Sequence, residues 1–335
     1  MSEPSPVIVI EYVCTQRGRR CEASINRGGN TVDLPSSELI GGRLFVFRIG
    51  FRGMIISIIG LGLIGGSLAK AIKMNTDHTV CGYDIDAQVM QKAWEQKAID
   101  KSGISDALDA DLTFICLHPK ETIYFIQGNA TKFKKGSVVA DVCGIKAYIS
   151  EQVDELLHNN GAFYVGTHPM AGREFSGFDY ADGGLFQGSS FIITKTDNTC
   201  ERAALVVSDL ASAIGFQKII SSTPKQHDEI IAYTSQLAHL ISNAYVKSPS
   251  IKKEGGFSSH SFRELSRVAK LDEHLWSSLF ILNRDALLQE LDTFISNLKK
   301  YGNALANNDA DAIYILLKAG RIIKEANLGE YDKKD

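Results

Sequence analysis

Short apolar runs alternate with amphipathic stretches between residues 55 and 220, and this pattern predicts alternating strands and helices. The apolar runs are rich in Ile and Val, as is typical of strands buried on both faces of a sheet. Strands are predicted at 55–59, 80–83, 112–117, 137–140, 163–167, 191–194 and 217–220, and helices at 63–74, 86–97, 120–132, 145–158 and 201–214. Such alternation predicts an α/β fold with a doubly wound parallel sheet.

The pattern changes after Pro224, where strand signals end and long helical periodicities begin. Pro249 and the Gly255-Gly256 pair separate the first helical stretch from the second. Helices are predicted at 225–247, 260–270, 272–300 and 308–327. We therefore expect an α/β domain at 54–224, followed by an all-helical domain at 225–327 and a tail at 328–335.

Residues 1–53 differ in composition from the rest of the chain. They carry three arginines within four residues, a Gly28-Gly29 pair and two short apolar runs at 7–10 and 44–47. The runs could be strands, but neither is tied to a catalytic motif. Met54 stands directly before the first predicted strand of the α/β domain. We expect residues 1–53 to be a weakly ordered extension.

Composition excludes several classes of function. The formal net charge of −3 gives no basic excess for binding nucleic acid or an anionic membrane surface. No apolar run reaches the ~18 residues of a membrane span, and we expect no signal peptide. The six cysteines are scattered without a C-x-x-C pair, which favours reduced thiols in a cytoplasmic protein and no metal site.

A glycine motif follows the first predicted strand and opens the first predicted helix. It reads Gly60-Leu61-Gly62-Leu63-Ile64-Gly65, a G-x-G-x-x-G in the strand–turn–helix context that binds dinucleotides. Gly60 allows the tight turn, Gly62 lets the backbone approach the pyrophosphate, and Gly65 lets helix and strand pack closely. The positive end of the helix dipole then faces the phosphates. The first domain is therefore predicted to be a Rossmann-type dinucleotide-binding domain.

Asp84, 19 residues beyond Gly65, ends the second predicted strand and is expected to bind the ribose hydroxyls of the cofactor. Ile85 and Asp86 follow, so no cation is placed there for a 2′-phosphate. This favours NAD over NADP. Leu63 and Ile64 within the motif, together with Pro119 and Gly144, are also assigned to the cofactor site.

His168 is the candidate proton acceptor. It follows the predicted strand at 163–167 and opens the segment His168-Pro169-Met170-Ala171-Gly172. Ligands of open α/β sheets bind outside the carboxyl ends of the strands, which is where this segment would lie. An unperturbed imidazole pKa of ~6.5 suits the removal of a proton near neutral pH.

The segment 168–177, with His-Pro-Met-Ala-Gly and then Glu174 and Ser176-Gly177, resembles the prephenate and arogenate dehydrogenases of tyrosine biosynthesis. The resemblance extends over residues 54 to about 327. It also includes Asp141-Val142-Cys143-Gly144-Ile145-Lys146, His227-Asp228, Ser235-Gln236-Leu237-Ala238-His239, Arg263-Glu264-Leu265-Ser266-Arg267, Trp276 and Asn283. It implies NAD-dependent oxidative decarboxylation of prephenate to 4-hydroxyphenylpyruvate, by a homodimer joined through residues 225–327.

The resemblance also implies roles for individual residues. His168 would be the catalytic base, and Glu174 would organise the catalytic loop. Arg267 would bind a substrate carboxylate, a task that suits a planar guanidinium. His239, Ser235 and Arg263 would bind the substrate as well. On an ideal helix, Asp228, Ser235 and His239 lie within about 40° of one another, which would place them on one polar stripe.

Four positions depart from the family pattern. Gly144 stands where relatives usually have a serine close to the catalytic histidine, so the missing hydrogen bond would fall to a water or to Cys143. Gln236 and Ala238 replace the first histidine and the proline of a Ser-His-Leu-Pro-His motif. Arg173 stands where relatives often have a small polar residue, and it would offer the substrate another cation. These departures bear on substrate preference.

Three other functions remain open. Prephenate and arogenate differ only by a keto group or an ammonium on the side chain, and no residue of the sequence decides between them. A β-hydroxyacid dehydrogenase would normally carry a lysine on the first long helix of the second domain, where this chain has Ser235 and His239. A non-catalytic NAD sensor would need neither His168 nor Arg267.

Overall fold

The computed structural model describes residues 9–14, 21–27, 30–34, 53–173, 175–253 and 255–326. The chain divides into two compact units, Met1–Pro224 and Lys225–Asp335. Glu174, the apolar run at 44–47 and the predicted tail lie outside the described residues.

Three strands precede the α/β domain. They are β1 (Val9–Cys14), β2 (Cys21–Arg27) and β3 (Asn30–Leu34), which pair antiparallel in that order. The sequence analysis expected weak order here, so this sheet is a difference between expectation and structure. Gly28-Gly29 stands between two runs with β-branched residues in the sequence, a pattern that favours a hairpin.

In the α/β part of the described chain, eight strands form one sheet in the order β11-β10-β9-β8-β7-β4-β5-β6. All neighbours are parallel except β9 and β10. A connection of about twenty residues without a crossover helix joins β9 to β10, which permits their antiparallel pairing. The strands are β4 (Ile55–Ile59), β5 (Thr79–Tyr83), β6 (Lys101–Ser102), β7 (Leu112–Ile115), β8 (Val138–Asp141), β9 (Phe163–Pro169), β10 (Ser190–Thr194) and β11 (Lys218–Ser222).

Helices of this unit follow the predicted positions, with one additional short helix. The central strands are almost fully buried, as their continuous apolar runs predict, and the helices bury apolar faces against them. The helices are α1 (Leu63–Asn75), α2 (Ala87–Glu95), α3 (Ile104–Leu108), α4 (Pro119–Asn129), α5 (Ala147–Asn159) and α6 (Glu201–Ala213).

The described part of the second unit is helical. It comprises α7 (Pro224–Ile231), a π-helical turn (Ala232–Leu237), α8 (Ala238–Tyr245), a 3₁₀ segment (Pro249–Lys253), α9 (His260–Ser266), a 3₁₀ turn (Arg267–Ala269), α10 (Glu273–Leu282), α11 (Arg284–Ala306) and α12 (Ala310–Ala326). No helix in the described parts of the chain is long and apolar enough to cross a membrane.

The predicted helix at 272–300 is in fact two helices that meet at Asn283. Asn283 Nδ2 donates to the Asp228 carbonyl oxygen at 2.9 Å and to Gln236 Oε1 at 2.8 Å. The side chain is buried, so these bonds satisfy an amide that could not reach water. A tertiary contact therefore sets this break, and the apolar periodicity on either side of it gives no sign of the break.

Candidate functional site

Five neighbouring strands bring His168 and residues of the sequence-predicted cofactor site to one edge of the sheet. In the order β5, β4, β7, β8 and β9, their carboxyl ends lead to Asp84, to the glycine motif, to Pro119, to Gly144 and to His168. The chain reverses direction across the sheet between β4 and β7, and such switch points form the ligand crevices of open α/β sheets. From β5 to β9 the edge spans four strand spacings, about 19 Å.

The three motif glycines have different surroundings, and each fits a different role. Gly60 has φ +89°, and a Cβ there would lie 2.6 Å from the Cys116 carbonyl oxygen. A Cβ on Gly65 would overlap the Gly60 carbonyl oxygen, so α1 and the turn can pack this closely only around glycine. Gly62, the N-cap of α1, has nothing within 4 Å of its Cβ direction and leaves the helix N-terminus open. This open cradle fits a dinucleotide pyrophosphate.

Asp84 and Ile85 form the other end of this crevice. Asp84 Oδ2 accepts a hydrogen bond from the Leu61 N–H at 2.7 Å, and Oδ1 accepts one from the Asp86 N–H at 2.9 Å. Asp84 therefore ties the glycine turn to the end of β5 and keeps further carboxylate lone pairs for ribose hydroxyls. Ile85 is 93% exposed, an apolar side chain suited to the face of a nucleotide base. In the sequence analysis, Ile85 served only to show that no cation follows Asp84 to bind a 2′-phosphate.

A buried polar cluster fixes the loop after β8. The carboxylate of Asp141 pairs with the ammonium of Lys146, and both side chains are fully buried. Asp141 Oδ1 accepts from the Tyr164 hydroxyl at 2.7 Å, and Oδ2 accepts from the Cys143 N–H at 2.9 Å. Burial, followed by the charge of Asp141, raises the pKa of Tyr164 well above its usual value, so the phenol stays a donor.

This cluster also reaches β9, the strand that carries His168. Thr167 Oγ1 donates to the Asp141 carbonyl oxygen at 2.5 Å, and Thr167 directly precedes the histidine. A Cβ on Gly166 would lie 2.3 Å from Thr194 Oγ1 and 3.2 Å from Lys146 Cδ, so glycine here chiefly makes room for the threonine of β10 and also leaves space for the buried lysine. The sequence analysis noted Lys146 within the family motif and gave it no role. Its burial could not be inferred from residue type, because lysines are rarely buried.

The thiol of Cys143 does not take the place of the serine that relatives have at the position of Gly144. Its thiol lies 3.3 Å from the Leu117 carbonyl oxygen and 3.5 Å from Thr122 Oγ1, and the residue is buried. Burial, then the charge of Asp141, raises its pKa to about 12, so it stays a neutral thiol. Gly144 itself is not among the glycines with positive φ in the described chain, so its backbone conformation would admit a serine.

The segment after His168 is held against α1, the helix that follows the glycine motif. Phe178 is buried over Gly66, whose Cβ would meet its ring at 2.7 Å. Lys70 Nζ lies 4.7 Å from the Phe178 ring centre and donates to the Ala181 carbonyl oxygen at 2.8 Å. The Asp182 N–H donates to Ser67 Oγ at 2.9 Å. Helix α1 therefore anchors the segment that follows His168.

Arg173 forms an ion pair within the same segment. Its Nη2 lies 2.6 Å from Asp182 Oδ2, with both side chains partly exposed. Asp182 therefore competes with the substrate for the guanidinium of Arg173, which the sequence analysis predicted to be an additional cation for the substrate.

In the second unit, His239 is held on two sides. Its Nδ1 lies 2.8 Å from the Ser235 carbonyl oxygen, and its ring stacks on Trp276 with 3.9 Å between ring centres and 30° between planes. Ser235 lies in the π-helical turn, a feature often found at functional sites. The π turn also changes the helical phase, so the ideal-helix geometry expected for Asp228, Ser235 and His239 does not apply across it.

Gln236, which stands in place of the first histidine of the family motif, has a structural role. Its Oε1 accepts from Asn283, and its Nε2 lies 3.4 Å from the Leu279 carbonyl oxygen. The residue is almost fully buried. The glutamine therefore ties the π-helical turn to the break between α10 and α11, where it satisfies both ends of its amide.

The two candidate arginines lie on one short segment. Arg263 is in the last turn of α9, and Arg267 opens the 3₁₀ turn that follows it. Both residues are exposed. The pKa of His239 lies below its usual value, mainly because the side chain is partly buried. The hydrogen bond to Ser235 raises this pKa, and the positive charge of Arg267 lowers it. Arg267 and His239 are therefore close enough to interact electrostatically, in one part of the second unit.

Comparison with known proteins agrees with this architecture. Residues 68–219 match the family described as "Prephenate dehydrogenase, nucleotide-binding domain", and residues 223–319 match "Prephenate dehydrogenase, dimerization domain". A cyclohexadienyl dehydrogenase of Zymomonas mobilis is 33% identical over 266 residues, covering 76% of this chain and 90% of that protein.

Solved structures share the fold. Synechocystis arogenate dehydrogenase has a TM-score of 0.71 at 26% identity, covering 82% of this chain and all of that one. Prephenate dehydrogenase from A. aeolicus, in complex with hydroxyphenyl propionate and NAD⁺, has a TM-score of 0.74 at 22% identity, covering 83% of this chain and all of that one. Both domains match models of the prephenate dehydrogenase family, and the Zymomonas mobilis relative is 33% identical. The chain therefore belongs to the prephenate dehydrogenase family.

Proposed function

We propose that this chain catalyses the NAD-dependent oxidative decarboxylation of prephenate to 4-hydroxyphenylpyruvate. The alternative substrate is arogenate, which would give tyrosine by the same chemistry. The observation that carries the proposal is the position of His168, at the carboxyl end of β9 and on the sheet edge that also carries the glycine turn and Asp84. This arrangement supports a proton acceptor beside the hydride acceptor of a dinucleotide.

The proposed reaction separates proton transfer from hydride transfer. When bound, NAD supplies the hydride acceptor for the hydrogen on the carbinol carbon of the substrate. His168 accepts the proton of the carbinol hydroxyl as that carbon becomes a carbonyl. The bond from the ring to its carboxylate then breaks, carbon dioxide leaves, and the electron pair completes the aromatic ring. The proton held by His168 can return to the phenolate oxygen, so no net proton is released.

The remaining residues would position the substrate. Gly60, Gly62 and Gly65 hold the pyrophosphate at the N-terminus of α1, and Asp84 binds the ribose. Within the second unit, Arg267 binds a substrate carboxylate, and His239, Ser235 and Arg263 are further substrate contacts. Because aromatisation drives the reaction, the protein chiefly has to orient the substrate and accept a proton.

The test of this function is an increase in NADH absorbance when purified protein is mixed with NAD and prephenate, with 4-hydroxyphenylpyruvate and carbon dioxide formed in equal amounts. Arogenate is tested in parallel. A β-hydroxyacid substrate that is oxidised while both cyclohexadienols are inert would overturn the proposal. NAD binding without turnover of any of them would favour a sensor.

We expect NAD to be preferred over NADP by at least tenfold in kcat/KM. Asp84 would repel a 2′-phosphate, and the next two residues, Ile85 and Asp86, offer no cation to offset that repulsion. Steady-state kinetics with both cofactors at saturating prephenate measure the ratio. Asp84→Asn is the matching variant, and it should narrow the preference because it removes the charge and keeps the shape. Equal efficiencies in the parent enzyme would contradict the cofactor assignment.

We also expect a homodimer joined through the helical domain. Large apolar side chains remain exposed along α11 and α12: Leu288, Leu298, Leu305, Tyr314, Ile315, Leu317, Ile322 and Ile323. Exposed apolar surface of this extent favours a partner subunit, in keeping with the family description of the domain.

Light scattering at micromolar concentration should therefore give twice the mass of one chain. Leu305→Asp with Ile315→Asp should shift the mass towards that of a monomer, because each places a charge in the apolar surface. Leu205→Asp, at an exposed position on α6 in the first unit, is the control and should leave the dimer intact. A monomeric parent enzyme would contradict the prediction.

A further inference from the structure

A cavity of about 410 Å³ lies at the amino ends of four neighbouring strands, on the edge of the sheet opposite the glycine motif and His168. Residues at the starts of these strands line it: Met54 before β4, Asp111 before β7, Ser137 before β8 and Phe163 at the start of β9. The four strands are mutually parallel, and their length separates this cavity from the cofactor crevice by about 13–23 Å. The cavity is therefore distinct from the candidate site described above.

The charged side chains of this cavity are mostly cations. Lys134, Lys135 and Arg202 line it, together with one carboxylate, that of Asp111. Lys134 Nζ lies 2.6 Å from Asp111 Oδ1, so that carboxylate already has a counter-ion. Lys135 Nζ donates to a backbone carbonyl oxygen, a neutral group that leaves the lysine charge uncompensated. The cavity lining therefore carries a net positive charge, although the chain as a whole has a formal net charge of −3.

Helix α6 begins at the same cavity. Its N-cap, Cys200, and Ala203 in its first turn both line the cavity. The Cys200 side chain makes no capping hydrogen bond, so it does not satisfy the first N–H groups of the helix. Glu201, the acidic residue of the first turn, pairs with Lys195 at 2.7 Å and does not line the cavity. The positive end of this 13-residue helix therefore adds to the attraction for an anion.

The hydroxyl of Ser137 is a separate indication of a ligand. Ser137 is 3% exposed, and its Oγ has no hydrogen-bond partner among the described residues. Its backbone is satisfied, because its N–H donates to the Lys134 carbonyl oxygen at 3.1 Å and its carbonyl accepts from the Phe163 N–H at 2.9 Å. A buried hydroxyl without a partner is costly, and such groups in native proteins usually have one. Because Ser137 lines the cavity, a ligand bound there would supply the missing partner.

The rest of the lining is apolar and selects the kind of anion. Val138, Phe163 and Val206 contribute side chains that cannot pair with an ion. Apolar walls with a few placed polar groups, and a volume above about 300 Å³, are typical of sites for small organic molecules. An inorganic anion would use the cations and leave the apolar walls without a contact. The lining therefore fits a small carboxylate that carries an apolar body.

We propose that this cavity is a second binding site of the chain, for a small organic carboxylate with an apolar ring or chain. Lys135 and Arg202 bind the carboxylate, the Ser137 hydroxyl donates to one of its oxygens, and the apolar body lies against Phe163 and Val206. Arginine suits this task because its five N–H donors allow it to bind a carboxylate and another partner together. The cavity shares no residue with the proposed substrate and cofactor sites, so the site does not depend on the proposed function.

The experiment titrates benzoate, a ring carboxylate, into the full-length protein at saturating NAD and measures Kd by calorimetry. The parent should bind benzoate, and Lys135→Ala and Arg202→Ala should each raise Kd at least about tenfold, because each removes a contact to the charged group. Lys132→Ala is the matched control and should match the parent, since Lys132 is an exposed lysine of the same segment that does not line the cavity. Arg267→Ala, a change in the proposed substrate site, should also leave Kd unchanged.

Ser137→Ala distinguishes a ligand contact from a structural role. Alanine removes a hydroxyl that has no partner, so the melting temperature without benzoate should stay the same or rise. The Kd for benzoate should rise about tenfold, because the carboxylate loses a hydrogen bond. A lower melting temperature with unchanged benzoate affinity would overturn the role given to this hydroxyl.

Two further probes test the chemistry of the ligand. Benzamide has the shape of benzoate without its charge, and inorganic phosphate has charge without an apolar body, so both should bind at least about tenfold more weakly than benzoate. Phosphate or benzamide binding as tightly as benzoate would overturn the assigned ligand class. No benzoate binding by the parent, or binding lost in Arg267→Ala and kept in Arg202→Ala, would overturn the site and leave the proposed function standing. Benzoate binding as described would support the site even in a protein that oxidises neither prephenate nor arogenate, a result that would overturn the proposed function alone.

Discussion

Replacing His168 with Asn is expected to lower kcat by about 10²–10⁴-fold while KM for prephenate changes little. Asparagine keeps a hydrogen-bonding side chain at the end of β9 but cannot accept a proton. The variant therefore loses general base catalysis and keeps most of the ground-state contact with the substrate. Initial rates of NADH formation at saturating NAD, with prephenate varied, give both constants.

Two controls make this result specific. His158→Asn applies the same change at an exposed position on α5 and should leave both constants unchanged. NAD binding by the His168→Asn variant, measured by calorimetry, should match the parent, because the glycine turn and Asp84 are unaltered. Near-normal turnover in the variant would exclude His168 as the proton acceptor. A loss of NAD affinity would indicate a structural defect instead.

The sequence predicts the dinucleotide-binding domain well because the sequence patterns that define this domain are local. The strand runs, the helix positions and the different roles of Gly60, Gly62 and Gly65 all depend on neighbours within a few residues. Asp84 and His168 follow from the rule that ligands bind at the carboxyl ends of parallel strands. The order of those strands, and so the position of the residues along one edge, comes from the structure.

The features that the sequence misses depend on distant contacts. The apolar pattern continues across Asn283, but bonds to the Asp228 carbonyl and to Gln236 end one helix there and begin another. The π-helical turn at 232–237 is likewise invisible to an analysis that assumes 3.6 residues per turn. That turn contains Ser235, whose carbonyl fixes the tautomer of His239. The contact that orients His239 therefore depends on geometry that periodicity does not encode.

The buried Asp141–Lys146 pair illustrates a different limit. Burying two charges is costly, and an apolar pair of similar size would often be at least as stable. The pair holds the Cys143 N–H, the Tyr164 hydroxyl and, through Asp141, the strand residue before His168. We attribute its presence to the positioning of the loops that carry Gly144 and His168, because a contribution to stability alone would not require charges.

Replacing Arg267 with Ala is expected to raise KM for prephenate with a smaller effect on kcat, because a carboxylate anchor acts in both the ground state and the transition state. Arginine suits this task because its planar guanidinium can donate two parallel hydrogen bonds to one carboxylate. Losing such a charge-assisted pair costs about 2–4 kcal/mol where the bound substrate encloses the guanidinium, or about 30- to 1000-fold in kcat/KM. Steady-state kinetics at saturating NAD measure the split between the two constants.

Arg267→Lys separates charge from geometry. Lysine keeps the positive charge but not the paired donors, so the variant should recover only part of the lost efficiency. Arg284→Ala, which removes an exposed arginine paired with the adjacent Asp285, is the control and should match the parent. The loss in Arg267→Ala should also weaken as salt is raised, because screening reduces the contribution of the charge in the parent enzyme. An alanine variant that keeps the parent KM would show that the carboxylate anchor lies elsewhere, with Arg263 the next residue to test.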